Sequence, residues 1–257
     1  MNLVDQIDPL AYDIAFWVDC LDDPDYPDDE LGDLSIDLST KLRVLAISLL
    51  LTNGDPDAFF HHLIRSANHR IRYLQRIRAA GITDDHHQGA SRVDALHDAL
   101  AAGRFDLAHQ IGDLASDTFL AGHEYLDDFH YGRAVWRSSA SLVDVAPLEA
   151  EIDAFEAALN GRTDARVAVL RAIARRDQPG FDAAFDALID ERSLAIDTAK
   201  AQGQLLTPAV FTRRQTYVEG LALLRLAAQR AGLVTLPDYQ YCPSLARVPM
   251  VKPFPGE

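Results

Sequence analysis

The chain predicts an all-α fold: a compact array of antiparallel helical hairpins in one domain, with an acidic N-terminal segment and an extended proline-rich tail. Three observations predict it. Apolar residues recur with helical spacing over almost the whole length. Gly, Pro and Asn-Gly punctuation falls where those runs stop. No stretch keeps the alternation of a strand, Leu233–Leu236 being the nearest and too short. The chain has 257 residues, 48% of them hydrophobic and 25% charged, the composition of a globular protein with a sizeable core.

The elements follow in order. Leu3, Ile7, Leu10, Ile14, Phe16, Trp17, Val18 and Leu21 are interleaved with acids, so residues 3–21 read as an amphipathic helix packed on the body through these side chains. Residues 22–33 read as an exposed acidic loop. Leu38, Leu42, Leu45 and Leu49, with Ile47 and Leu50, mark a helix over 38–51 that stops at Asn53-Gly54. Asp55-Pro56 opens the next, Asp as N-cap and Pro in the first turn, and Gly81 ends it. After a polar loop, Thr83–Gly89, helices over 91–102 and 105–120 form a hairpin about Gly103. Further helices are expected over 124–143, from Pro147 to Asn160-Gly161, over 163–175, from Pro179-Gly180 to Ala201, and from Pro208 to Ala231. Five prolines in residues 233–257 make that tail extended and draped over the body. The breaks are unevenly spaced and no consensus recurs, which argues against a solenoid.

Charge is distributed unevenly. The net charge is −15, from 24 basic and 39 acidic residues, and the first forty residues hold twelve acids with no Lys or Arg. Removing them leaves 27 acids against 24 bases. Such a segment repels nucleic acid and anionic membranes and attracts a basic partner; as a plain solvated tail it would lack the interleaved apolar residues. The expected contact surface is Asp22, Asp23, Asp25, Asp28, Asp29 and Glu30, with Tyr26 as an aromatic anchor. On the helix after Asp55, Arg65, His69, Arg72 and Arg76 share a face. That face is either solvated or an intramolecular clamp on nearby aspartates.

Signatures of catalysis are missing: no Gly-x-Ser-x-Gly and no phosphate-binding glycine loop. The most enzyme-like stretch is His123-Glu124-Tyr125-Leu126-Asp127-Asp128-Phe129-His130. His123, Asp127 and His130 sit at i, i+4 and i+7 and are plausible metal ligands for a hydrolase or oxygenase, yet the spacing is not that of a zinc protease. His61-His62 and His86-His87 are adjacent pairs whose members diverge on a helix. Two cysteines, Cys20 and Cys242, are too few for a disulfide scaffold. With no signal-peptide pattern and no long apolar run, the expectation is a cytoplasmic non-enzyme without cofactor, nucleic-acid or membrane partner. A helical adaptor with a peptide groove is the alternative.

Three stretches, Ser66-Ala67-Asn68-His69-Arg70, Tyr125 to Arg133, and Tyr217 to Ala227 followed by Tyr241-Cys242-Pro243-Ser244-Leu245-Ala246, occur in this order and spacing. The chain thereby resembles the immunity 49 family of bacterial polymorphic toxin systems from about residue 40 to 250. A second helical immunity family, which neutralises nucleases of the PD-(D/E)xK type, has a similar general look. The resemblance implies an all-helical cytoplasmic protein that occludes one cognate toxin. An acidic surface would suit a basic, nuclease-type toxin. The acidic segment itself has no place in the family pattern.

Overall fold

A computed structural model describes residues 2–140 and 142–255. Met1, Ser141, Gly256 and Glu257, which fall within the expected segments 1–37, 124–143 and 233–257, lie outside the described residues. The described chain is all-helical, with no β-strand. Its centre is the hairpin of α2 (Leu31–Asn53) and α3 (Pro56–Ala79). α2 is buried on nearly every side, from Leu31 and Leu38 to Ile47 and Leu50, as expected of a helix apolar around most of its circumference. Gly54, at φ 61°, ends it in the left-handed region, its N–H bonded to the Leu50 carbonyl at 3.1 Å. Asp55 then accepts the Ala58 N–H at 2.9 Å, and Pro56 fills the first turn of α3, so two residues reverse the chain.

α1 (Val4–Asp22) packs along α2. α4 (Asp94–Ala101) and α5 (Phe105–Leu114) fold against α3, joined through Gly103 at φ 76°. α6 (Leu126–Ser139) pairs with α7 (Ala146–Ala158), and α8 (Ala165–Arg175) with α9 (Gln178–Ala201). α10 (Pro208–Gln215) lies on α2, and α11 (Val218–Leu226) returns to α4. This last contact joins the C-terminal third to the N-terminal half and closes the array. The tail is pinned as expected: Val251 donates its N–H to Asp57 at 2.7 Å, and Arg225 donates to the Val248 carbonyl at 3.1 Å. No helix among the described residues is long and apolar enough to cross a membrane.

Four expectations need correction. The acidic loop is shorter, because α2 begins at Leu31 after a 3-10 turn over Asp28–Glu30. The helix expected over 105–120 stops at Leu114, where Ala115 turns extended. The helix expected over 124–143 spans only Leu126–Ser139. The helix expected from Pro208 to Ala231 is broken at Thr216-Tyr217: Thr216 is extended at φ −132°, and the Tyr217 N–H bonds the Tyr241 carbonyl at 2.8 Å. A β-branched residue followed by an aromatic gives weak helix preference there, and the tail supplies the alternative partner. α11 then runs into a π-helical turn, Ala227–Ala231, before Gly232.

Candidate partner interface and buried polar centre

Helix α1 is anchored on one side and open on the other. Leu3, Ile14 and Leu21 are buried, and Ile7, Trp17 and Val18 pack against the core. Phe16 does not belong to this set: it is 54% exposed, and Tyr12 is 77% exposed. At about 100° per residue, Asp5, Asp8, Tyr12, Phe16 and Asp19 fall within one stripe about 80° wide. All five side chains are exposed, and none of the three aspartates has an ion-pair partner among the described residues. Asp13, off the stripe, is held by Lys41 at 2.9 Å.

The loop after α1 is stapled rather than free. Arg72 pairs with Asp22. Arg76 reaches Asp28 at 3.0 Å and donates to the carbonyls of Asp23 at 2.8 Å and Tyr26 at 2.5 Å. The arginine face of α3 is thus an intramolecular clamp at Arg72 and Arg76, while His69 is buried. Surface ion pairs contribute little on their own; the bonds from Arg76 to backbone carbonyls are what fix the loop. Among the seven residues expected at the interface, Asp22 and Asp28 therefore serve the clamp, and the Asp23 carboxylate accepts the Asp25 N–H at 2.9 Å. Tyr26 is half-buried against the core, its hydroxyl donating to Glu30 at 3.3 Å. Asp25 and Asp29 stay exposed with no ion-pair partner among the described residues. On α1 the aromatic groups open to solvent are Tyr12 and Phe16 instead; the sequence alone gives Tyr12 no role and counts Phe16 among the packed residues.

The structure does not bring His123, Asp127 and His130 together. His123 precedes α6, so helical spacing does not apply to it, and it stacks on His86 with ring centroids 5.1 Å apart. Asp127 binds Arg162 at 2.6 Å, and His130 faces Glu151 at 3.1 Å. Candidate metal-ligand atoms of Asp85, His86 and His87 do lie within 4.8 Å of one another. However, the two ring nitrogens of His87 face Asp85 at 2.9 Å and Asp33 at 3.0 Å. Whichever ring nitrogen donates to its carboxylate offers no lone pair to a metal. Both cysteines are free, and Cys242 is buried, which pushes its thiol up to about 12.

A second polar centre lies where α2, α4, α6 and α11 meet. Arg43, between Leu42 and Val44 on α2, donates to Asp98 at 2.7 Å and Asp94 at 2.6 Å. Ser66 of α3 donates to the other Asp98 oxygen at 2.6 Å. Beside them, the Tyr131 hydroxyl donates to Glu219 at 2.6 Å and lies 3.3 Å from His97 Nε2. The guanidinium of Arg166 covers the Tyr131 ring at 4.3 Å, and that of Arg192 covers Tyr217 at 4.4 Å. All of these but Ser66 and Asp98 border a cavity of about 200 Å³. The break at Thr216-Tyr217 aims Tyr217 and Glu219 into it, so these two are core partners. Arg43 holds Asp94 down to about 2, whereas burial outweighs Arg43 at Asp98 and pushes it up to about 6. Burial, and then Glu219, raises both tyrosines well above their ordinary range. Charges here are matched internally, which fits an interlock between helices better than a reaction centre.

The buried histidines give the fold a pH dependence. Burial lowers His62, His69 and His97 to about 4. Between the unfolded value, about 6.5, and about 4, the unfolded chain binds more protons, so stability is complete above 6.5 and falls on acidification. His97 alone should cost about 2 kcal/mol at pH 5 against pH 7. Asp98, an acid with a raised value, works in the opposite sense and returns about 1 kcal/mol over the same interval. With His62 and His69 added, urea unfolding should show a lower midpoint at pH 5 than at pH 7; a flat or rising profile would contradict this.

No protein-family model matches the chain, and no curated protein or solved structure matches it either, so the functional reading rests on these residues and their arrangement.

Proposed function

We propose that the chain is an immunity-type protein that binds one basic, nuclease-type toxin in the cytoplasm and neutralises it by occlusion, without chemistry of its own. The observation that carries this reading is the open stripe of α1. Three unpaired aspartates flank two exposed aromatic rings on a helix whose other side is fixed in the core. Negative charge of this kind steers a basic partner and speeds encounter. Exposed aromatic side chains on a rigid support are what dominate binding energy once docked. Asp25 and Asp29 extend the acidic surface along a loop that Arg76 already holds in place, so little ordering entropy remains to be lost on binding.

The test is a pull-down. The tagged chain is the bait, and the prey is the product of the neighbouring open reading frame, supplied as an inactive mutant. The reading expects a stoichiometric complex that weakens as salt rises. Absence of any complex at low salt would overturn it.

A further inference from the structure

Away from the acidic stripe, the middle of α3 carries a buried charge that the protein does not neutralise. Arg70 is 2% exposed. Its Nη2 donates to the His87 carbonyl, and its guanidinium lies over the Tyr73 ring at 5.0 Å. Its Nε and Nη1 have no acceptor among the described residues. Arg92 Nε, Trp136 Nε1 and Gln88 Nε2 are likewise buried without an acceptor. Arg70, Arg92 and Trp136 border one inner cavity of about 20 Å³, and no Asp or Glu lines it. This cavity adjoins a cleft of about 730 Å³ between α3, α5 and α6; Gly112, Ala115, Ser116, Arg133 and Trp136 line both, and Gln88 lines the cleft.

Asp113 and Asp117 line the outer cleft; three further carboxylates around the inner chamber are committed elsewhere. Asp85 accepts from Tyr73 at 2.6 Å and from His87. Glu124 accepts the backbone N–H groups of Ser91 at 3.1 Å and Leu120 at 2.9 Å. Glu151 pairs with Arg133 at 2.7 Å. Two glycines shape the walls. A Cβ on Gly132 would collide with the Ala90 carbonyl oxygen, and one on Gly112 with the Trp136 indole. The result is a small chamber with four buried donor nitrogens that lack an acceptor among the described residues, Arg70 Nε and Nη1, Arg92 Nε and Trp136 Nε1, and neither of these two guanidinium groups has a carboxylate partner among the described residues. Leaving donors and cationic charge buried without acceptors is costly. Burial also draws Arg70 down to about 10, the same cost expressed as proton affinity.

We infer that this chamber binds the oxyanion group, carboxylate or phosphate, of a small molecule whose remaining atoms occupy the outer cleft. The inner volume is on the scale of one water, so it admits one terminal oxygen, which Arg70, Arg92 and the Trp136 N–H would share. The cleft is far larger than a free ion needs and offers Trp136, Leu114 and Ile82 as apolar surface, with Arg78, Asp113 and Asp117 also in its lining, so the anionic group belongs in the inner chamber and not in the cleft. This site is independent of the α1 stripe, and its failure would leave the immunity reading standing.

The chain has two tryptophans, so a ¹⁵N-labelled full-length sample shows one indole N–H signal from Trp17 and one from Trp136, assigned with Trp136→Phe. Sodium phosphate, sodium acetate and sodium chloride are titrated separately at constant ionic strength set with a bulky sulfonate buffer. The inference expects a saturable shift of the Trp136 signal with phosphate or acetate, the stronger probe identifying the headgroup, while Trp17 stays in place. Arg92→Met, a half-buried position that spares the core, should weaken the response by about tenfold or more. Arg70→Met is the direct variant but threatens folding, so Arg92→Met decides. No saturable shift, equal shifts at both tryptophans, a response to chloride alone, or an Arg92→Met titration like the wild type would each overturn the site.

Discussion

Replacing Arg43 by Ala should cost the fold about 3–5 kcal/mol, the largest single-residue effect expected on stability. Asp98 is fully buried and has only Ser66 as its other partner. Without Arg43 it must either remain charged in a poorly solvating interior or take up a proton. Asp94 suffers less, being half exposed and within 3.5 Å of Arg213. The interpretation is sharpened by a double variant. Arg43→Met with Asp98→Leu removes both charges together and should recover much of the loss, because paired burial is of small net benefit while unpaired burial is penalised heavily. Urea denaturation at pH 7 measures both. A single variant within about 1 kcal/mol of wild type would show that water reaches Asp98 and that the interlock is weaker than its geometry implies.

Reversing Asp5, Asp8 and Asp19 to Lys should slow association with the proposed toxin partner by about tenfold to a thousandfold at low salt, and should flatten the salt dependence of the rate. Dissociation should change little. The complementary variant, Phe16→Ala, should leave the on-rate near wild type and speed dissociation by about thirtyfold, the effect of a residue worth about 2 kcal/mol at an interface centre. Neither change should disturb folding by more than about 1 kcal/mol, since these side chains contact solvent and the first-turn aspartate contributes only its interaction with the helix dipole. Surface plasmon resonance over a salt series separates the two effects. Rates that do not respond to either variant would place the interface elsewhere on the molecule.

Much of the fold was legible because its signals are local. Asn53-Gly54-Asp55-Pro56 carries a left-handed stop and a capped start in four consecutive residues, and Gly103, Gly203 and Gly232 each adopt the positive φ that ends a helix. What was illegible depends on distant partners. Thr216-Tyr217 carries a weak local hint of a break, but the bond from the Tyr217 N–H to the Tyr241 carbonyl of the tail, which completes it, is not announced by the neighbouring sequence. Arg43 could have been flagged: a guanidinium in an apolar run needs a buried acid. Choosing Asp98, on a helix two elements later, required the three-dimensional packing. The acidic residues that sequence favoured for binding were the densest cluster, yet Arg72 and Arg76 draw two of them into a clamp. Phe16 is misplaced for another reason. At about 100° per residue it lies roughly 160° from Ile14, on the acidic side of the wheel, so grouping it with the packed residues followed its hydrophobicity and not its angle. His123 was assigned to a helix that starts three residues after it, which dissolved its apparent alignment with Asp127 and His130.

Co-expression in a toxin-sensitive host tests the central claim most directly. The active toxin from the neighbouring reading frame is induced together with wild-type chain, or with the Asp5/Asp8/Asp19→Lys and Phe16→Ala changes combined in one folded variant. The account predicts growth with the wild type and loss of protection with the combined variant at equal soluble abundance. Failure of the wild-type chain to protect, with both proteins present, would contradict the immunity function; protection by wild type and variant alike would contradict its assignment to α1.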